Sequence, residues 1–405
     1  MMLLRLAQRN IWRNKRRSFI VIISVAIGIT ATILTDTLSM GMIFQIFDNQ
    51  IGSHIGHLQI HRKGFHDNMV VQNFIPDAGA VDRALDGEPS ISAYSRRVVL
   101  FGLLSSANTS SGISIIGIEP DREERITKIR ASIVSGRYLT GSPNEIVVGH
   151  NLADKLGVGL GDKVVALSST LDGHVGSDVF RIVGVFETFS SEFDKVYVYI
   201  PLEGAQRLVG LGERISEFAI LTSDRKTVGL AQDALRRILG DSFEVLSFID
   251  LIPLILVQID MYQQSMIVFY AIIGIALILG IVNTMLMSVF ERIQEFGVLM
   301  AVGLSNGKIF LMIILEALYL GLIGTAAGFV VGYLIYLPLA SYGIDLSAFS
   351  EGLKSFGTGT VIYPVLTTTG IINALFLIPL MTVVGALYPA FKAIRLQPIT
   401  AIRYV

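Results

Sequence analysis

Residues 13–43 read RNKRRSFIVIISVAIGITATILTDTLSMGMI: a cluster of cations, then an apolar run from 19 to 43 in which Asp36 is the one charge. At a helical rise of about 1.5 Å per residue this run exceeds the roughly 30 Å of bilayer hydrocarbon, so it predicts a spanning helix. Three more runs meet the same test, 265–290, 309–337 and 370–390, and nothing between 44 and 264 does. Arg5, Arg9, Arg13, Lys15, Arg16 and Arg17 precede the first run without an acid, and Lys392, Arg395 and Arg403 follow the fourth likewise. The positive-inside rule puts both ends in the cytoplasm, which requires an even number of spans, and four agrees. A cleavable signal peptide is the rival reading of 19–43, but its apolar core would span about 7–15 residues and end at a small-x-small cleavage site; neither fits.

The chain thus divides into a basic cytoplasmic segment 1–18, spans at 19–43, 265–290, 309–337 and 370–390, and a large extracytoplasmic segment 44–264. A cytoplasmic link 291–308, an outer loop 338–369 and a cytoplasmic tail 391–405 complete it. The predicted fold is a membrane protein of four transmembrane α-helices with a large α+β domain outside, between helices 1 and 2.

Composition agrees with a chain split between lipid and water: 52% hydrophobic and 16% charged over 405 residues. A formal net charge of −1 gives nucleic acid no clustered cationic surface to bind. The absence of cysteine removes disulfides, thiolate metal sites and thiol catalysis.

Within the third run Gly324, Gly328 and Gly332, with Ala317 and Gly321, line one helical face on which another helix can approach closely. That partner is either another span of this chain or a second subunit. Glu316, about two turns inside the same run, reads either as part of an ion pathway or as a paired or protonated structural carboxylate. Asp36 falls near the outer end of the first span, where interfacial solvation accounts for it.

The outer segment changes to short alternating runs and short helices, the pattern of an α+β domain. Phe180, Ile182, Gly184 and Phe186 fall on one face of a strand, and Arg181, Val183, Val185 and Glu187 on the other. Residues 196–200 alternate similarly before Pro201 opens a helix through Leu208. Val228, Ala231, Leu235 and Ile238 recur at helical spacing, as in a helix covering a sheet.

Enzyme-like features dissolve on inspection. His54, His57, His61 and His66 cluster, but His57, Gln59 and His61 alternate with Leu58 and Ile60 as the wet face of a strand would, and no carboxylate takes a metalloprotease-like position; no metal site is expected. Residues 303–308, GLSNGK, fall one residue short of a phosphate loop and lack the following Ser or Thr. Gly157, Gly159 and Gly161 before Asp162 read as a turn into a strand at 163–167. No nucleophile constellation stands out, so the chain is expected to be non-catalytic.

Read as a helix from Glu291, the link between the second and third spans places Ile293, Phe296, Gly297 and Met300 on one face and Arg292, Glu295 and Leu299 beside it. The segment from Glu291 through Phe296 and Gly303 to Lys308 resembles the coupling segment of FtsX/MacB-like permeases of ABC transporters. Tyr388-Pro389-Ala390-Phe391-Lys392-Ala393-Ile394-Arg395, with Pro398 and Ala401-Ile402-Arg403-Tyr404, resembles the closing signature of that family. Gly136-Arg137-Tyr138-Leu139, Asn144-Glu145-Ile146-Val147-Val148, Leu152-Ala153 and Gly161-Asp162-Lys163-Val164 are similar to its periplasmic core domain. With Gly56-His57-Leu58-Gln59-Ile60-His61 and the long outer segment, the resemblance is to the lipoprotein-releasing permeases of the LolC/LolE type. FtsX itself has a much smaller outer domain, and MacB carries a fused ATPase where only a short basic segment is expected here.

The resemblance implies two such permeases, identical or related, above two separate ATPase subunits that bind ATP and Mg, with no cofactor on this chain. It implies a bacterial inner-membrane location, lipoprotein cargo, surrounding membrane lipid and a periplasmic carrier. A split MacB-like peptide or antibiotic exporter and an FtsX-like transducer of an outer enzyme are the alternatives. Glu291, Arg292, Glu295, Phe296, Gly297 and Met300 are the expected ATPase-coupling residues, with Phe296 as anchor. A helix lying on the bilayer surface is the rival, disfavoured because Glu291, Arg292, Glu295 and Lys308 sum to zero charge. By the same resemblance, acyl chains enter between the outer ends of the first two spans, against Met40, Ile43, Phe44 and Phe47 on one and Met261, Tyr262, Met266 and Phe269 on the other. Ordinary helix packing explains those residues equally well. In one relative type a hairpin docks the carrier; the matching residues 169–178 read either so or as a plain turn.

Overall fold

The computed structural model describes residue 13, residues 15–355 and residues 357–395. Arg5 and Arg9, and the tail with Pro398, Ala401, Ile402, Arg403 and Tyr404, lie outside the described residues. The chain forms two compact units. One comprises 1–44, 258–345 and 361–405; the other comprises 45–257 together with 346–360. The outer unit therefore ends short of 264 and recruits part of the loop between the third and fourth spans. Within it the Asn49 amide donates to the Gly357 carbonyl at 3.0 Å, and Lys354 pairs with Glu187 at 2.6 Å.

Among the described residues of the first unit, four helices are long and apolar enough to cross a membrane. Their secondary-structure bounds are Lys15–Gln50, Pro253–Glu291, Asn306–Tyr342 and Thr368–Ile394. The glycine face of the third spanning helix is filled by the first. A Cβ on Gly324 would lie 2.7 Å from Val25 Cβ, and one on Gly328 would lie 2.6 Å from the Ala26 carbonyl oxygen. The Thr30 hydroxyl also donates to the Gly328 carbonyl, 3.1 Å away, so a side-chain hydrogen bond joins the two helices at this close approach. At Gly332 the nearest atom would be 3.4 Å off, an ordinary contact. A graded outcome is expected. Gly332→Ala should be recovered from detergent as wild type is, whereas Gly328→Leu, facing rigid backbone, should lose most of its folded yield. Equal recovery of the two variants would remove this close approach from the account of the bundle.

The outer unit is built on a ten-stranded sheet: β1 (Leu58–Arg62), β2 (Ile91–Ser105), β3 (Ser110–Ile118), β4 (Ile133–Gly136), β5 (Glu145–Gly149), β6 (Lys163–Ser169), β7 (Val175–Phe186), β8 (Tyr197–Pro201), β9 (Glu217–Thr222) and β10 (Phe243–Ser247). The order is β10-β1-β9-β2-β3-β8-β5-β7-β4, with β6 bridging β2 and β7. One core contains Leu58, Ile60, Leu100, Phe180, Ile182 and Phe218. A second contains Phe65, Val99, Val147, Phe186 and Tyr199.

Several sequence expectations are corrected here. His57, Gln59 and His61 are not a wet face: all three are buried, because β1 lies between β10 and β9 and both of its faces are covered. Phe186 does not share a face with Phe180 and Ile182. The β5–β7 register shifts between the Ile146–Ile182 and Val147–Gly184 pairs, so a bulge at Val183 turns the end of the strand over. On the helix Val228–Leu239, Ile238 is exposed while Val228, Ala231 and Leu235 are buried. The β6–β7 connection reduces to Thr170–His174, closed by the Thr170 amide donating to the His174 carbonyl at 2.8 Å and by Gly173 at φ +82°.

A row of charge crosses the sheet. Arg97 on β2 stands directly opposite Glu217 on β9, which stands opposite His61 on β1. Arg97 donates to both Glu123 oxygens at 2.6 and 3.0 Å, to Glu217 at 2.8 Å and to the His54 carbonyl at 2.6 Å. His61 reaches the other Glu217 oxygen at 3.1 Å. Burial would raise the Glu217 carboxyl, but His61 and Arg97 outweigh it and hold the group at about 2. Burial first, then the Arg97 charge, lowers the His54 imidazole to about 4, so it stays neutral at physiological pH.

Candidate functional site

Helical spacing places Tyr262, Met266 and Tyr270 on one face of the second spanning helix, and Asp36 and Met40 on one face of the first. These five residues line a cavity of about 320 Å³ within the first unit. Gln263 and Ile267 join them from the second helix, and Thr367, Thr369, Gly370 and Asn373 from the start of the fourth. Tyr262 donates to an Asp36 oxygen at 3.1 Å, Tyr270 lies 3.5 Å from the same oxygen, and the Thr367 hydroxyl bears on the carboxylate. Asp36 is only 7% exposed, so interfacial solvation does not explain it. A carboxylate held by neutral hydroxyls, with methionine and isoleucine alongside, makes an amphiphilic pocket.

Of the residues expected to line such a site, Met40, Tyr262 and Met266 do so. Met261 and Phe44 are exposed, and Ile43 and Phe269 are half-buried outside the lining. Phe47 belongs to the other unit, where its ring meets Phe248 edge-on at 6.3 Å. Sequence reasoning missed Tyr270 and the wall at 367–373. The i, i+4, i+8 repeat of Tyr262, Met266 and Tyr270 beside a lone intramembrane Asp was the available signal.

The link between the second and third spanning helices forms the helix Ile293–Ala301. Arg292 breaks the chain from the preceding helix, with φ −108° and ψ 15°, and turns inward. Its guanidinium pairs with Glu316 at 3.0 Å and with Glu295 at 3.1 Å, and lies over the Phe296 ring at 5.1 Å. Glu316 is therefore a paired carboxylate. Glu295 also takes Arg13 at 2.5 Å, and Arg17 pairs with Glu291. Burial would raise Glu295, but Arg13 and Arg292 together hold it below the ordinary carboxylate value.

This geometry corrects the expected coupling face. Ile293, Phe296 and Gly297 are buried in the bundle's own core, Phe296 completely, and Arg292 is buried with them. Helical spacing gives an apolar face without saying what covers it, and here the covering is intramolecular. The outward face instead carries Glu291, Glu295, Val298 (53% exposed) and Val302 (82% exposed) just past the helix end, with Met300 half-buried.

Residues 18–238 match the family described as MacB-like periplasmic core domain, and residues 267–398 the FtsX-like permease C-terminal family. The chain belongs to the FtsX/MacB-like family of ABC transporter permeases. Among its relatives is the lipoprotein-releasing system transmembrane protein LolC of Neisseria meningitidis, 24% identical over 97% of this chain and 96% of that protein. The macrolide export ATP-binding/permease protein MacB of Acinetobacter baylyi is 26% identical over 96% of this chain, which spans 57% of that protein's length. The uncharacterized ABC transporter permease YvrN of Bacillus subtilis is 22% identical over 99% of each. The permease is accordingly a multi-pass protein of the bacterial inner membrane, with four spanning helices and a large α+β domain. Its family is one of generally non-catalytic subunits that work with ATPases.

Proposed function

We propose that the permease releases lipoproteins from the outer leaflet of the inner membrane to a periplasmic carrier, driven by separate ATPase subunits that bind ATP and Mg. The observation that carries this reading is the amphiphilic cavity around Asp36: its chemistry suits a lipid-linked molecule that presents acyl chains and a polar head together. The full-length likeness to LolC supports it. In this reading the cations Arg13, Lys15, Arg16 and Arg17, and Lys392 and Arg395, face the cytoplasm. The helix Ile293–Ala301 then meets an ATPase, and two permeases, identical or related, complete the complex. Because Arg292 joins that helix to Glu316 in the third spanning helix, a push on it acts on the bundle through a buried ion pair.

The likeness to MacB favours a second reading, export of peptides or antibiotics by a split transporter. Depletion in the native cell separates the two. Lipoproteins should accumulate in the inner membrane within a few generations and should co-purify with the complex trapped before hydrolysis. An unchanged lipoprotein distribution, with new sensitivity to peptides or macrolides, would overturn the first reading in favour of the second.

A further inference from the structure

Strand β2 runs for 15 residues, yet its two edges are not equally used. β9 and then β6 cover one edge, while β3 covers the other only from Arg97 onward, so among the described residues no strand pairs with Ile91–Arg96 on that side. The Arg96 amide shows where this edge faces: it donates to the Glu119 carboxylate at 3.4 Å, in the place of a neighbouring strand. From Ala93 onward the β9 register is regular, so alternation turns the amide and carbonyl of Tyr94 to the same side. A cavity of about 440 Å³, within the range of ligand sites, lies along this edge. Ser92 and Tyr94 line it from the strand, and Arg122 and Arg125 from the chain that leaves β3 at Ile118, opposite Arg97. Arg122 lies over the Tyr94 ring at 5.2 Å and is held only loosely by Glu119 at 3.7 Å. The Arg125 side chain has no hydrogen bond or ion pair among the described residues. The acids that share the cavity are engaged nearby: Asp86 accepts from the Tyr94 hydroxyl at 2.8 Å, and Glu88 from the Ser90 hydroxyl at 2.7 Å.

We propose that this slot takes the C-terminal end of an extended partner polypeptide, which adds a short strand beside Ser92–Tyr94 and sets its terminal carboxylate against Arg122 and Arg125. The outward amide and carbonyl of Tyr94 supply the strand contact, as wherever a peptide extends a sheet at its edge. Both ends of the slot are shut. Glu119 occupies the Arg96 amide, and at the other end Pro89 and the bulge at Ser92 break the edge, so the long strand of a second sheet does not fit. A chain laid alongside must therefore stop near Arg96. Parallel to β2, it brings its carboxylate to the guanidinium groups; antiparallel, it would bring its terminal ammonium there, which the two cations disfavour. Charge-assisted hydrogen bonds to the guanidinium groups should favour a free carboxylate over its neutral amide by about tenfold to a hundredfold. The site is independent of the cargo reading.

The test uses the full-length permease in detergent and a pentapeptide of alternating threonine and valine, labelled with fluorescein at its N-terminus and titrated to about 1 mM. Wild type should bind the free acid at least about tenfold more tightly than the C-terminal amide. Arg122→Gln combined with Arg125→Gln changes two exposed side chains, so it should leave melting unchanged and bring that ratio near one. Two further twins of the acid carry N-methyl groups on one or the other alternate set of residues. The set that faces β2 should weaken binding at least about tenfold and the other set should not, because a strand presents its amides to a neighbour on alternate residues. Acid and amide that bind wild type alike overturn the carboxylate site, and methylated twins that bind alike overturn the strand pairing. Selectivity that survives in the glutamine variant overturns the role given to the two arginines. Absence of binding by the free acid overturns the whole proposal. Should the variant melt low, the comparison of acid and amide on wild type decides.

Discussion

Arg97→Met is expected to lower the melting temperature of the outer domain by about 6–20 °C. Arg97 is fully buried in β2, and its three nitrogens serve two carboxylates, Glu123 and Glu217, that are themselves buried. Removing the cation leaves two anions in the interior, with hydrogen bonds to His61 and Thr127 left to compensate among the described residues. Breaking a buried pair by removing one partner costs about 3–5 kcal/mol, a large share of the ~5–15 kcal/mol that holds a domain together. In a domain of this size each kcal/mol moves the midpoint by about 2–4 °C, which gives the stated range. The expectation has an internal control. Arg97→Met combined with Glu123→Gln and Glu217→Gln removes the whole charged set and should recover part of the loss, since what destabilises is the unmatched charge rather than the missing arginine. Melting of the intact permease in detergent, followed by protease resistance of the domain, is the measurement. A midpoint within 2 °C of wild type for the single variant would show that the row across β2, β9 and β1 carries no net stability.

That cluster also holds the backbone of a neighbouring turn. Arg97 holds the His54 carbonyl, and the Tyr199 hydroxyl donates to the Ser53 carbonyl at 3.3 Å. Both acceptors lie in the π-helical turn Ile51–Ile55 that follows the first spanning helix. Single π-turns are uncommon and often mark functional positions. Two fully buried side chains of the sheet, Arg97 and Tyr199, thus hold two successive backbone carbonyls of that turn.

The limits of the sequence are visible in particular residues. Apolar runs, cation placement and the glycine spacing each depend on local chemistry, and from them the four helices and the close-packed face could be read. The alternation around His57, Gln59 and His61 has the period of a strand, but period does not say which face is wet. A strand paired on both edges and covered on both sides buries its polar residues, provided each finds a partner, as His61 does in Glu217 and His57 in the Thr222 hydroxyl at 2.8 Å. Asp36 was misread because its environment is non-local: the wall that buries it comes from residues 367–373, which no window around position 36 contains. The Val183 bulge was hidden for a similar reason, since a register shift is a property of two strands, whereas the alternation of β7 taken alone is unbroken.

The same distinction between a helical face and what covers it sets the expected result for the helix Ile293–Ala301. Phe296 is fully buried against the bundle, so Phe296→Ala opens a cavity in the permease itself, at a cost of about 3–5 kcal/mol. Its signature should be a lower melting temperature and poorer recovery of the permease, with any ATPase loss following from that damage. Val298 and Val302, one turn apart and outward, are the apolar residues on the free side, flanked by Glu291 and Glu295. Replacing both valines with glutamate touches no packed atom of the core, so the permease should insert and melt as wild type does. Placed at an ATPase interface, the two new charges would lose their water without a partner. A loss of about 2–4 kcal/mol of binding corresponds to a roughly 30- to 1,000-fold weaker complex, enough to strip the ATPase during affinity purification. The helix-on-membrane alternative expects otherwise, because glutamates facing head groups would shift the helix without releasing a partner. The measurement is ATPase retained per permease, read beside permease melting, for the two variants in parallel. Retention by the double valine variant, together with selective release by a Phe296→Ala protein that melts normally, would return the docking surface to the buried face and require the helix to roll outward when the ATPase binds.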